Sequence, residues 1–274
     1  LIVDAQTHVV SDDTRRFPKR EDAYTWPATT GEMVLDSMAA AGIDRSFLQQ
    51  AYGVYGNDNA YLLEVVKAHP DRFAGAVCVD QIAPGGPDTL SDLIENHGMS
   101  ALRLVWNQQP NVLADPSSYP LWQRAADLGI PVVVAAQLVD APSLVTPLER
   151  FAGVRVALEH YWGNKLGDPP YELIAPVLEL ARFPNLYLRI VSNNSYAARE
   201  GASTPRAFFS LLAERFGADR LIWGSNYPGH WDKHGGVGER LELAREDLAF
   251  LGADAARRIF GETAVTFWPQ RSPA

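Results

Sequence analysis

The chain has 274 residues, 47% hydrophobic and 21% charged, a balance that suits a globular α/β protein with a sizeable core. Its formal net charge of −9, with no basic run or basic helix face, excludes nucleic acid and anionic membrane surfaces as partners. No apolar run is long enough to span a bilayer. The single cysteine, Cys78, cannot staple the chain, so packing must carry stability, as in a reducing, cytoplasmic setting.

Short apolar runs alternate with helical patterns along the whole length. The chain opens at Leu1 without a methionine, which leaves room for a short preceding segment. Leu1 to Val3 reads as a first strand, with polar Asp4-Ala5-Gln6-Thr7-His8 beyond it. Thr29 and Glu32 have the spacing of a capping box for a helix that closes near Gly42. Ile43 to Leu48 is the second strand, and the polar segment Tyr52 to Asn59 leads into a helix ending at His69-Pro70. Phe73 to Val79 is the third strand, in which Cys78 reads as a small buried hydrophobe. Pro87 to Asn96 is an amphipathic helix stopped by Gly98, followed by the strand Ala101 to Val105 and the helix Tyr119 to Leu128.

The rhythm continues with strands at Pro131 to Ala136, Val154 to Leu158, Leu186 to Val191 and Leu221 to Trp223. Helices at Ala141 to Phe151, Tyr171 to Phe183, Thr204 to Phe216, Gly238 to Leu251 and Ala253 to Phe260 complete the pattern. Eight strands, each followed by a helix, match a (β/α)8 TIM barrel of about 250 residues, here one domain over 1–274. Continuous rather than alternating apolar runs fit strands buried on both faces. A doubly wound open sheet is the alternative, weakened by the lack of a glycine-rich turn after the first strand.

Residues just past each strand line the catalytic mouth of such a barrel. Here they include Gln6, His8, Tyr52, Arg103, Trp106, Gln137, His160, Tyr161, Arg189, Asn193, Asn226, Tyr227 and His230. Amides, aromatics and histidines dominate, and carboxylates are scarce, a set that suits a small, planar, anionic substrate. His8 and His160 each follow an apolar strand and are the candidate bases, since neutral imidazole is the commonest base and metal ligand near neutral pH. Either one alone reads equally well as a satisfied core histidine. His69 and His97 sit at helix ends and read as caps. Arg103 and Arg189 lie inside strands, where a charge needs a partner, either a bound carboxylate or a structural ion pair. Trp106, Tyr161, Trp162 and Trp231 form either a stacking wall or packing under loops. Asp4 reads as structural.

Several motifs carry a resemblance. Asp4-Ala5-Gln6-Thr7-His8 resembles the Asp-x-His-x-His opening of the amidohydrolase superfamily, closest to its amidohydrolase-2 branch of lactonases, other hydrolases and decarboxylases. His69-Pro70-Asp71-Arg72-Phe73, Leu158-Glu159-His160 and the ending Trp223-Gly224-Ser225-Asn226-Tyr227-Pro228, similar to Trp-Gly-Ser-Asp-x-Pro, extend it from Leu1 to about Phe260. The resemblance implies a distorted (β/α)8 barrel. It also implies a divalent cation such as zinc or manganese at the positions of Gln6, His8, His160 and Asn226. This chain departs from the pattern at two of those positions, with Gln6 for the first histidine and Asn226 for the aspartate. Amide oxygens are weak ligands beside histidine and carboxylate, so no tightly bound metal is expected. Asn226 is either natural, leaving a histidine as base, or an engineered replacement of aspartate.

The resulting expectation is hydrolysis of an ester or lactone in a small carboxylated, cyclic or aromatic compound. His8, His160 and Asn226 would form the catalytic group, and Gln6, Tyr52, Arg103, Trp106, Gln137, Tyr161, Arg189, Tyr227 and His230 would bind substrate. A lyase acting on a similar acid, by decarboxylation or hydration, and an inactive binding protein are the alternatives. Monomer and homodimer are both open.

Overall fold

Runs rich in valine, leucine, isoleucine and alanine become strands whose residues are almost all buried, because helices cover one face and the barrel interior the other. The strands are Val3–Thr7 (β1), Arg45–Gln49 (β2), Phe73–Val77 (β3), Ala101–Val105 (β4), Val132–Ala135 (β5), Val156–Glu159 (β6), Leu186–Ile190 (β7) and Leu221–Trp223 (β8). The computed structural model describes residues 1–106, 113, 115–159 and 165–268. All neighbouring strands pair in parallel and in chain order, from β1 to β8. Residues beyond β8 close the ring. Asn226 N–H donates to the Gln6 carbonyl at 2.7 Å, and His8 N–H donates to the Tyr227 carbonyl at 2.8 Å. The fold is therefore a (β/α)8 barrel, and the open-sheet alternative falls.

Inward residues at the amino end of the strands are small or aliphatic, among them Ala5, Ala76, Ala101, Val133 and Ala157. They leave room for Phe267 and Trp268 from the final helical segment, and Trp268 stacks on Phe47 at 4.3 Å. These rings fill the barrel interior at that end, and a further cavity lies at the carboxyl ends of the strands. Among the described residues, no helix is long and apolar enough to cross a membrane.

Three local expectations change. The first strand begins at Val3 and includes Asp4, Gln6 and Thr7. These polar residues are tolerated in a buried strand because their side chains are bonded within it and across it, as in Thr7 Oγ1 to Asp4 Oδ2 at 2.7 Å. The helix Gly31–Ala41 is capped by Thr30, whose hydroxyl accepts from Met33 N–H at 3.3 Å. Thr29 instead bridges Val10 in antiparallel fashion, which anchors the loop after β1. The stretch expected as one helix from Tyr171 to Phe183 is broken into Glu172–Ile174, Ala175–Glu179 and Leu180–Arg182. Two short helices not evident in the sequence, Ser192–Ala197 and Trp231–His234, follow β7 and β8 and shape the mouth.

The ring closes tightly at Gly224, where an added Cβ would lie 2.7 Å from both Cβ and N of Gln6. Gly224→Ala is expected to destabilise the protein by about 1–3 kcal/mol through overpacking. Urea denaturation measures this, and an unchanged midpoint would show that the seam has slack.

Candidate active site

The site is built on the seam between β1 and the residues after β8. The buried Asp4 carboxylate accepts Ser225 N–H at 2.8 Å and Gln6 N–H at 3.1 Å, in addition to the Thr7 hydroxyl. Burial, the largest influence, pushes its carboxyl above the ordinary range, against the hydrogen bonds from Ser225, Thr7 and Gln6 that pull it down. Arg240 grips the same residue from the other side. Its Nη1 donates to the Ser225 carbonyl and its Nε to the Gly235 carbonyl, both at 3.0 Å, and its guanidinium lies over the Tyr227 ring at 5.3 Å. Sequence reasoning missed Arg240, because an arginine in an amphipathic helix carries no sign that it points inward.

Held between these charges, the chain delivers Asn226 in the left-handed region at φ 57°, a conformation that asparagine tolerates better than most residues. Asn226 Oδ1 accepts from Gln6 Nε2 at 3.1 Å, and its Nδ2 donates to Asn193 Oδ1 at 3.4 Å. His8 stands beside this pair, continuing from β1. Its Nδ1 donates to the Gln49 carbonyl at 2.9 Å, so in the neutral ring Nε2 carries the lone pair. The ring packs against Trp26 with centroids 4.9 Å apart.

A second cluster crosses the barrel. Glu159, the last residue of β6, is buried and takes two arginines at once. Arg103 donates to Oε1 from Nε at 2.7 Å and from Nη2 at 2.5 Å, and its Nη1 donates to the Gln50 carbonyl at 2.8 Å. Arg189 Nη1 donates to Oε2 at 2.7 Å. The structural ion pair is therefore present at both arginines, and Glu159, which sequence reasoning did not count among the candidates, is the carboxylate they share. Arg103 still contributes to the cavity wall. Arg189 does not: it lies over Trp268, 4.7 Å from the ring, inside the barrel. Its placement as a direct substrate contact is corrected accordingly.

The cavity at the carboxyl ends of the strands has a volume of about 690 Å³. Of the residues expected there, His8, Tyr52, Arg103, Trp106, Gln137, Asn193, Asn226 and His230 line it. Gln6 and Tyr227 stand behind the wall, the first supporting Asn226 and the second beneath Arg240. His160 and Tyr161 lie outside the described residues, as does Trp162. Tyr24, Thr25 and Trp26 from the loop after β1 complete the wall, with Asp232 and Lys233 also lining it. The Tyr24-Thr25-Trp26 run was a visible aromatic signal, but nothing local says that its loop folds back over the barrel.

His230 and His234 stack 5.0 Å apart, and His234 stacks on Tyr196 at 4.2 Å. Burial first, then His230, Arg240 and Lys233, push His234 from its ordinary 6.5 down to about 4, and burial likewise lowers His230. Between those two pH values the unfolded chain binds more protons at His234 than the folded one does. Stability is therefore expected to fall as pH drops from 6.5 towards about 4. Thermal melts at pH 7 and pH 5 check this: His234→Gln is expected to lose less on acidification than the parent, and an equal loss would remove His234 from the acid limb.

Solved structures share the barrel. A putative 2-pyrone-4,6-dicarboxylic acid hydrolase from Pseudomonas putida is 22% identical, with a TM-score of 0.76 covering 97% of this chain and 96% of that one. A zinc-bound amidohydrolase from Burkholderia multivorans is 17% identical, with a TM-score of 0.78 covering 99% and 100%. In sequence, the L-fucono-1,5-lactonase of Burkholderia ambifaria is 25% identical over 248 residues, spanning 84% of this chain and 82% of its own. Among the described residues, the donors do not fit such a metal. Gln6 and Asn226 bond one another through their amides, whose oxygens are weak ligands, and His8 is the one histidine described at the four expected positions, His160 lying outside the described residues. Among the described residues, no group of three or more His, Cys, Asp or Glu side chains could hold an ion. The amidohydrolase family model matches residues 3–270, nearly the full length, and this chain belongs to the amidohydrolase family.

Proposed function

We propose that this enzyme hydrolyses the lactone or ester bond of a small carboxylated, cyclic compound without a catalytic metal, in a cytoplasmic setting. The observation that carries the reading is His8, whose Nδ1 donates to the Gln49 carbonyl so that Nε2 is the basic nitrogen of the neutral ring, in the same cavity wall as Arg103 and Asn226. The relatives named as a lactonase and as a pyrone hydrolase support the bond type.

Arg103 spends three N–H groups on Glu159 and Gln50, which leaves one on each terminal nitrogen for a substrate carboxylate. Trp26 and Trp106 offer faces for a planar ring. His8 Nε2 takes a proton from water as the water oxygen adds to the lactone carbonyl carbon. The carbonyl electron pair moves to its oxygen, where Asn226 Nδ2 donates, trading its long bond to Asn193 for a shorter one to the oxyanion. The carbon–oxygen bond of the ring then breaks, and the leaving oxygen takes the proton back from Nε2. His160, one residue beyond β6, is the second histidine assigned to this site, and Tyr161 a second donor to substrate.

The amide pair supports Asn226 as the native residue. Gln6 donates to Asn226 Oδ1, and Asn226 donates in turn to Asn193, a donation that a carboxylate could not make. A panel of carboxylated lactones and esters tests the proposal, and no turnover by either the parent or Asn226→Asp would end it. With a substrate in hand, His8→Asn is expected to lower kcat by roughly 10²–10⁴-fold. Arg103→Met is expected to raise KM mainly for carboxylated substrates. Treatment with a chelator is expected to leave turnover unchanged, and restoration by an added divalent cation would overturn the metal-free reading.

A further inference from the structure

The cluster of Glu159 with two arginines is more than a way of satisfying buried charge. One carboxylate between two guanidinium groups leaves a single positive charge, buried below a cavity that only one of the two arginines reaches. The two cations are not equivalent. Arg103 uses Nε and Nη2 on Oε1 and lines the cavity, whereas Arg189 takes Oε2, has a side chain 0% exposed, and rests on Trp268 away from the mouth. If Glu159 were shared by Arg103 alone, its charge would cancel that of Arg103, and an incoming anion would meet a neutral pair.

We infer that Arg189 is a specificity-determining, positioning residue: by holding Oε2 of Glu159 from behind, it leaves a net positive charge at Arg103 and so sets the preference of the site for anionic over neutral ligands. The inference rests on the carboxylated-substrate reading above and goes beyond it by giving the preference to a residue that touches no ligand. The effect is electrostatic and works between buried side chains, where charges are weakly screened. Among the described residues, Arg103 from β4 and Asp4 from β1 also act on Arg189. Asp4 is matched by Arg240 across Ser225. Among the described residues, the Glu159 cluster therefore holds two guanidinium groups to one carboxylate.

Calorimetric titration with benzoate and with its neutral analogue benzamide tests this without any need for turnover. The parent is expected to prefer benzoate. Arg189→Met is expected to weaken benzoate by about tenfold and to leave benzamide unchanged, the scale of one buried charge acting at an effective dielectric of about 20. Equal loss of both ligands would mean that Arg189 only supports packing, and would overturn the inference. Arg189→Lys supplies a second measurement that survives failure of the methionine variant to fold. It keeps the charge at neutral pH but makes it titratable, since burial lowers a lysine pKa. Its benzoate affinity is expected to match the parent near pH 7 and to fall between pH 7 and 9, a range over which the parent holds its charge because burial lowers Arg189 only to about 10. A flat profile, or a parent indifferent between benzoate and benzamide, would likewise overturn the assignment. A parent that prefers benzoate but hydrolyses no lactone would strike the hydrolase reading and leave this one standing.

Discussion

The barrel depends on a seam that joins residues 221 positions apart, where the Asp4 carboxylate accepts the N–H of Ser225. β8 is only Leu221–Trp223, too short to close the ring on its own, and closure is completed by Asn226 and Tyr227 bonding to Gln6 and His8. The same few backbone bonds therefore both complete the fold and set the two side chains assigned to catalysis side by side. Asp4 bears the cost of burial because its hydrogen bonds offset it, as expected for a carboxylate shielded from water. Arg240 reinforces the seam from outside the ring and ties the start of the loop after β8 to its end at Gly235. A loop pinned at both ends loses less entropy when it orders around a ligand, which suits residues that must hold reacting atoms in place.

Beneath the mouth, a second buried network follows a different logic. Glu159 and the two arginines satisfy one another with bonds of 2.5 to 2.7 Å, and breaking such a buried network by removing one partner typically costs about 3–5 kcal/mol. Apolar packing of the same volume would serve stability as well or better. What the charges add, on the inference drawn above, is a field below the cavity, directed by which arginine lines it. The seam thus positions polar groups with fixed geometry, and the Glu159 cluster supplies charge.

Much of this was legible in the residues. Ala101–Val105 and Leu221–Trp223 match their expected bounds because they are wholly apolar apart from Arg103 and are edged by turn residues. β1 was misplaced towards the amino end because Asp4, Gln6 and Thr7 interrupt its apolar pattern, and their solvation by one another is visible only once the strand is paired. The helix cap moved by one residue, from Thr29 to Thr30, since neighbouring threonines offer identical hydroxyls and only the Val10 bridge distinguishes them. His8, Arg103 and Asn226 were found because strand ends in a parallel barrel converge on one mouth. Trp26 and Arg240 were not, because their placement depends on how a loop and a helix fold back.

The sequence by itself determined the alternation of strands and helices, and with it the (β/α)8 barrel and the end of it that carries the histidines and amides. It also determined the chemistry of that end, since an amide at 226 cannot accept a proton as a carboxylate would. Only the tertiary structure decided which charges meet. Arg103 and Glu159 lie 56 residues apart, and Glu159 and Arg189 lie 30 apart. Periodicity reports burial but not partners. Closing the ring brings those three side chains into one buried space, where each must pair, and that pairing divides two similar strand arginines into one that lines the cavity and one that meets it only through Glu159.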